Sequence, residues 1–180
     1  MRALVSFLAF ILLLLAVVAP ASARLWKPTP QQQVADYLSI THNKSDGRVD
    51  IVWLAGPLVA TTAKPLMDKY VVISIGRIRR GPDGAMVWDD VQGVQVSDGA
   101  GNALKEVSAD QMPPLLVGMI ATAEAASRQN SQGKSKVFWG VYEAGTVNAC
   151  QRGKLNVVFE GETYNFDTPV PGCDIPAPKP

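Results

Sequence analysis

The side chains with the greatest potential for chemistry are few and scattered in this sequence. There is one histidine, His42, beside a run of turn residues, and no serine lies in the Gly-x-Ser-x-Gly elbow of a hydrolase. One histidine cannot build a multi-histidine metal site, and no nucleophile accompanies it in the sequence. We therefore predict no catalytic residues, no metal ligands and no cofactor, and interpret His42 as a solvated loop histidine.

Two acidic motifs could bind a cation or move a proton, but their spacing does not favour either role. Asp89 and Asp90 are adjacent, so in a strand their side chains would point to opposite faces. The run DGAGN places Asp98 and Asn102 at a turn, yet it lacks the regularly spaced acidic residues of a calcium loop. An enzyme that works with carboxylates alone is therefore the least favoured functional class.

The segment between the only two cysteines has the pattern of a half-buried β-hairpin. Apolar and polar residues alternate on both sides of the pair Gly161-Glu162, and glycine in first position suits a type II′ turn. This turn would place Phe159 opposite Tyr164 and gather the large apolar side chains on one face.

The same register would bring the two cysteines, Cys150 and Cys173, opposite each other at the open end of the hairpin. In an exported chain such a pair predicts one structural disulfide, which contributes about 3 kcal/mol for a loop of this length. A redox pair is the alternative, but it typically has Cys-x-x-Cys spacing and a thiol at a helix start. We therefore predict a structural bridge.

Three arginines end the strongest predicted strand, KYVVISIGRIRR. Arg77 and Arg79 would share one face with the β-branched residues before them, so this face changes from apolar to basic. One interpretation is solvated charge at a strand end, and the other is a small docking patch for an acidic partner. We name Arg77 and Arg79 as candidate interface residues on the second interpretation.

The chain opens with the features of a secretory signal peptide. Arg2 precedes an unbroken apolar run, and residues 21–23 (Ala-Ser-Ala) have the small-x-small pattern of a cleavage site. We predict cleavage after Ala23 and a periplasmic or secreted protein with no transmembrane segment in the mature chain. Without Arg2 the chain has 16 basic and 16 acidic residues, a balance that argues against nucleic acid as a partner.

The composition divides the chain into four segments. They are a cleaved signal peptide (1–23), an extended N-terminal arm (24–33), a single β-sandwich domain (34–173) and a proline-rich tail (174–180). The arm has too little apolar surface for a core of its own, so Leu25 and Trp26 are candidate interface anchors.

Within the domain, seven or eight short segments rich in β-branched residues alternate with turns. One later stretch has helical spacing instead and predicts a single amphipathic helix over about 113–129. The residues that should pack against a sheet are Leu116, Met119, Ile120 and Ala123. The predicted fold is mainly β, an antiparallel immunoglobulin-like β-sandwich with one α-helix inserted late in the chain and one disulfide. The order of elements from Lys69 to Cys173 resembles that of many secreted bacterial immunoglobulin-like domains.

These observations favour a non-catalytic exported accessory or interaction subunit that docks on a larger periplasmic or envelope protein complex. A small subunit of a membrane-bound periplasmic dehydrogenase would be one example of this size and composition. The alternative is a periplasmic small-ligand carrier or chaperone-like binding module. Such a module would hold a ligand between its sheets or accept a strand at an open sheet edge.

Overall fold

The computed structural model describes residues 29–60 and 62–173. Over these residues the chain forms two antiparallel β-sheets with few helices, so the predicted mainly-β antiparallel class is confirmed. The strands are β1 (Ser39–Lys44), β2 (Gly47–Leu54), β3 (Tyr70–Arg80), β4 (Met86–Asp89), β5 (Gln95–Asp98), β6 (Val137–Glu143), β7 (Gly153–Phe159) and β8 (Glu162–Thr168). The helices are α1 (Pro30–Tyr37), α2 (Lys64–Met67) and α3 (Pro114–Asn130), with 3₁₀ turns at Gly56–Leu58 and Ala109–Gln111.

Three of the predictions concern segments at the two ends of the chain. Cleavage after Ala23, the interface anchors Leu25 and Trp26, and the proline-rich tail all lie outside the described residues. They remain predictions. Among the helices of the described part, none has the length and apolar character that crossing a bilayer requires.

Sheet A is built around β3, its longest strand. The eleven residues of β3 are rich in β-branched side chains, which fit the pleated surface of a sheet. β2 pairs along one side of β3, and β1 follows beyond β2. The other side of β3 is shared by β6, over residues 70–76, and β4, over residues 77–80.

Sheet B has three strands in the order β5-β7-β8. Every second residue of β7 and β8 is buried, as expected when one face of an antiparallel sheet packs against a core. The inner faces of both sheets contribute to one hydrophobic cluster. Its members include Ile51, Trp53, Ile73 and Ile75 from sheet A and Leu155, Val157 and Phe166 from sheet B.

Helix α3 packs on the outer face of sheet A, away from sheet B. Leu116 is fully buried there in a second cluster with Val72 of β3 and Val141 of β6. Met119 and Ile120 pack at the border of this cluster, as predicted. The helix has 17 residues and a length of about 25 Å.

The start of the described chain departs from the prediction. The prediction of a single helix is wrong, because Pro30–Tyr37 forms α1 and the short α2 follows later. Residues 30–33 of the predicted extended arm (24–33) belong to α1, and residues 24–28 lie outside the described part of the chain. A capping box starts α1: the Thr29 hydroxyl accepts from the backbone N–H of Gln32, and the Gln32 side chain accepts from the backbone N–H of Thr29. Val34 then joins the core between the sheets, which fixes the helix in place.

The predicted hairpin of β7 and β8 is confirmed, but its register differs by two residues. The turn residues are Glu160 and Gly161, whose φ angles of 51° and 76° are of the sign that a type I′ turn requires. Phe159 therefore pairs with Glu162, and the predicted pairing of Phe159 with Tyr164 is wrong. A shift of two residues keeps every side chain on its face, so the predicted apolar face is retained.

The disulfide between Cys150 and Cys173 is confirmed. The two Cα atoms are 5.3 Å apart, within the usual range for a bridge. The cysteines lie beyond the ends of β7 and β8 rather than opposite each other in the ladder. The backbone N–H of Val170 donates to the carbonyl of Ala149 at 2.8 Å, and this bond brings the two cysteine-bearing segments together.

Candidate binding surface

A cluster of charged side chains joins the ends of the two sheets, and Arg77 lies at its centre. Its side chain is 4% exposed, with Nη2 2.7 Å from Asp46 Oδ2 and Nε 2.9 Å from Glu160 Oε1. The third nitrogen, Nη1, donates to the Ile78 carbonyl at 3.0 Å. All three nitrogens of Arg77, which was predicted as a candidate interface residue, therefore already bond within the protein.

The carboxylate of Glu160 links this cluster to sheet B. Lys44 Nζ lies 2.8 Å from Glu160 Oε2, while Arg77 contacts the other oxygen. Burial raises the pKa of Glu160, but the bonds from Lys44 and Arg77 outweigh burial and lower the pKa overall. Glu160 has a left-handed backbone, which is uncommon for a residue other than glycine. Two cations from sheet A hold its side chain in place. The cluster therefore fixes the β7–β8 turn against sheet A.

His42 lies in β1, not in a loop as predicted, and it contacts the start of β8. Its Nδ1 is 2.8 Å from Glu162 Oε2 and 3.3 Å from the Tyr164 hydroxyl, which donates to the same carboxylate. Burial, and then the bond to Glu162, raise the pKa of Tyr164 to about 12, so the phenol stays protonated at neutral pH. In the described part of the chain the polar partners of His42 are thus a carboxylate and a phenol. Neither is the serine or cysteine nucleophile that a histidine base usually activates.

The adjacent carboxylates Asp89 and Asp90 each pair with a cation. Asp89 forms an ion pair with Arg79, and Asp90 Oδ2 lies 3.0 Å from Lys136 Nζ. The bond from Arg79 lowers the pKa of Asp89. Arg79, the second arginine proposed for the interface, is therefore exposed but already paired.

Asp98 serves its own loop. Its carboxylate accepts hydrogen bonds from the backbone N–H groups of Ala100 and Asn102 and from the side chains of Asn102 and Thr146. The bonds from Asn102, assisted by Thr146 and Ala100, lower the pKa of Asp98 to about 2. Across residues 29–60 and 62–173, no three His, Cys, Asp or Glu side chains come together as a metal site would need.

Where α3 does not cover it, the outer face of sheet A carries two grooves that open to the surface. Strand pairing aligns Arg48 of β2 with Ile78 of β3 and Trp88 of β4, and it aligns Arg80 with Met86 in the next row. We call this region the open face. The residues that define it are Arg48, Val52, Gly76, Ile78, Met86 and Trp88.

The apolar groove of the open face lies beside the C-terminal half of α3. It has a volume of about 290 Å³ and is lined mainly by Val52, Trp88, Ala123, Val137 and Trp139. The ring of Trp88 lies over Gly76, where an added Cβ would come within 2.9 Å of a ring carbon. The absence of a side chain at Gly76 therefore allows the indole to lie flat against the strand.

The basic groove of the open face lies at the far end of sheet A. It has a volume of about 440 Å³ and is lined by the strand-end residues Asn43, Lys44, Ser45, Gly47, Arg48, Ile78, Arg80 and Met86. Three of these eight residues are cationic and none is acidic. Of the three, Lys44 already bonds to Glu160 through its Nζ. Met86 and the buried Ile78 add an apolar surface to the groove.

Of the four interface residues proposed from the sequence, the two that the structure describes, Arg77 and Arg79, do not lie on the open face. Arg77 is buried, Arg79 is paired, and Leu25 and Trp26 lie outside the described residues. The residues that do form the face were missed, because they become neighbours only through the pairing of β2, β3 and β4. The available sequence signal was Gly76, because a glycine inside a strand often marks a close approach of another group to the backbone.

The chain matches no protein-family model, no curated protein and no solved structure. Its function must therefore be inferred from the clusters and the open face described above.

Proposed function

We propose that this protein is a non-catalytic, exported accessory or interaction subunit that docks on a larger periplasmic or envelope protein through its open face. The observation that carries the proposal is that α3 covers only part of the outer face of sheet A. Helix α3 shields the start of β3 and the end of β6, and the grooves lie beyond it.

The composition of the open face supports this role. Contiguous apolar surface that is rimmed by polar residues marks interaction sites more often than it marks idle surface. Tryptophan and arginine are enriched among the residues that dominate binding energy, and the face combines Trp88 with Arg48 and Arg80. The polar groups of the ionic cluster bond with each other, which leaves the open face as the better candidate for docking.

Export to an oxidising compartment is part of the proposal. The Cys150–Cys173 bridge supports it, because structural disulfides persist mainly in secreted and periplasmic proteins. The predicted signal peptide points the same way.

We also propose that the fold is an immunoglobulin-like sandwich. Two antiparallel sheets that share one core, with a late helix on the outer face of one of them, support this assignment.

The experiment compares Trp88→Ala with Val87→Ala in gentle purification of the tagged protein from cells that naturally produce it. Val87 is the neighbouring exposed residue of β4 and points to the opposite side of the strand, so it is a matched control. We expect one large protein to co-purify in stoichiometric amount with the wild type and with Val87→Ala. Recovery with Trp88→Ala should fall more than tenfold, since loss of an anchor residue costs about 2 kcal/mol or more. A wild type that purifies alone, or a Trp88→Ala variant that keeps its partner, would contradict the proposal.

A second candidate function is the small-ligand carrier, which the apolar groove favours. Its volume of about 290 Å³ is close to the lower limit for small-molecule pockets. Native mass spectrometry of the same preparations separates the two functions. A bound small molecule that is lost in Trp88→Ala supports the carrier, and a bound protein supports the accessory subunit.

A further inference from the structure

The basic groove has a charge arrangement that selects its occupant. Arg48 contacts Asp50 Oδ2 through Nε at 2.8 Å, so its charge is already partly compensated within the protein. Arg80 has an exposed side chain, and within residues 29–60 and 62–173 no carboxylate pairs with it. Its backbone N–H donates to the Asp46 carbonyl at 2.8 Å, so the position of its Cα is fixed by the fold.

An apolar surface lies directly beside these cations. Met86, which is 55% exposed, pairs with Arg80 across β3 and β4, and Ile78 pairs with Arg48 across β2 and β3. The groove therefore offers alternating cationic and apolar contacts in two adjacent rows. From β1 to β4 it is about 14 Å wide, the span of four or five residues of extended chain.

We infer that the basic groove binds an acidic, extended segment of the protein partner, with its carboxylates at Arg80 and Arg48 and an apolar side chain on Met86. This inference rests on the proposed function and names the chemistry of the partner. Charge complementarity argues for the acidic occupant, because the lining of the groove includes Arg80, which pairs with no carboxylate of the described residues, and contributes no carboxylate of its own. The exposed side chain of Met86 argues for a peptide rather than a nucleic acid, whose phosphate backbone would leave this apolar surface uncovered.

The probes are three synthetic peptides that differ only at the same three positions. The first has the sequence Gly-Asp-Leu-Asp-Leu-Asp-Gly, and in the other two every Asp is replaced by Asn or by Lys. Each is titrated into the isotope-labelled protein, and amide NMR shifts give both the affinity and the location. A ten-nucleotide oligothymidine is the fourth probe.

The variants are Arg80→Glu and the matched control Arg152→Glu. Arg152 is also exposed, and it lies at the opposite end of β7 from the Glu160 turn. Thermal unfolding of both variants checks that they are folded, and Met86→Ser tests the apolar contact without changing a charge.

We expect the acidic peptide to bind at least tenfold more tightly than the Asn peptide, with shifts confined to Arg48, Ile78, Arg80 and Met86. Arg80→Glu should weaken its binding about tenfold or more, because reversal replaces an attraction by a repulsion. Met86→Ser should weaken it severalfold, and Arg152→Glu should change it less than twofold.

Four results would overturn the inference: equal binding of the Asp and Asn peptides, shifts outside the groove, equal losses in Arg80→Glu and Arg152→Glu, or tighter binding of the oligothymidine. Failure of the proposed function is a different result, namely a wild type that purifies from its own cells without a protein partner. The peptide titration does not depend on that purification, so the two failures can be told apart.

Discussion

At the scale of the residue, Asp98 shows how a side chain suited to metal binding can serve the fold instead. The two carboxylate oxygens of Asp98 accept four hydrogen bonds. Three come from groups within its own loop and one comes from Thr146. The bonds hold the turn DGAGN against the segment after β6. Such bonds are made to the ionised form, so they couple folding to the protonation of Asp98.

This coupling predicts a specific dependence of stability on pH. The pKa of Asp98 is about 2 in the fold, against about 4 in an unfolded chain. The stabilisation is therefore complete above pH 4 and is lost as the pH falls from about 4 towards 2. We expect the melting temperature of the wild type to fall more steeply across this interval than that of Asp98→Asn. The other carboxylates are shared by both proteins, so parallel curves from scanning calorimetry would contradict the role of Asp98.

Arg77 marks the limit of what sequence reveals at this scale. Strand alternation correctly placed it on the same face as Val71, Ile73 and Ile75, all of which are buried. Its partners could not be predicted, because Asp46 and Glu160 come from two turns that are distant in sequence. An arginine at the end of an apolar strand face therefore looked available for docking when it is enclosed by carboxylates.

At the scale of the element, the position of α3 should depend on the side chains of the helix face that packs against sheet A. Leu116 is fully buried, whereas its neighbour Val117 is 47% exposed. We expect Leu116→Ala to lower the free energy of unfolding by about 2–5 kcal/mol, because it leaves a cavity between α3 and sheet A. Val117→Ala should change it by less than about 0.5 kcal/mol. Urea denaturation measures both, and similar losses in the two variants would show that α3 is not packed as described.

The elements also differ in how far sequence could predict them. Helical spacing over α3 and alternation in β7 and β8 are strong signals, and both elements were predicted. The hairpin register was not, because turns at Glu160-Gly161 and at Gly161-Glu162 bury the same face. Contacts from Lys44 and Arg77 to Glu160 favour the observed turn, and they involve another sheet.

At the scale of the whole molecule, two sheets around one core could be predicted, but the open face could not. Its existence depends on where α3 ends relative to β4, and its chemistry depends on the register of β2, β3 and β4. Arg48, Ile78 and Trp88 become neighbours only through that register. The spacing of these three residues in the sequence does not predict that register.

The central claim is that the open face contacts a protein partner, and site-specific photo-crosslinking in the producing cell tests it most directly. A photoreactive amino acid is placed at Met86, on the open face, or at Leu115, on the exposed side of α3. The two residues are comparable apolar controls for each other, with 55% and 48% of their surface exposed. We expect crosslinking from position 86 to one large protein and none to that protein from position 115. The claim would be contradicted by crosslinking from position 115 alone, or by none from position 86.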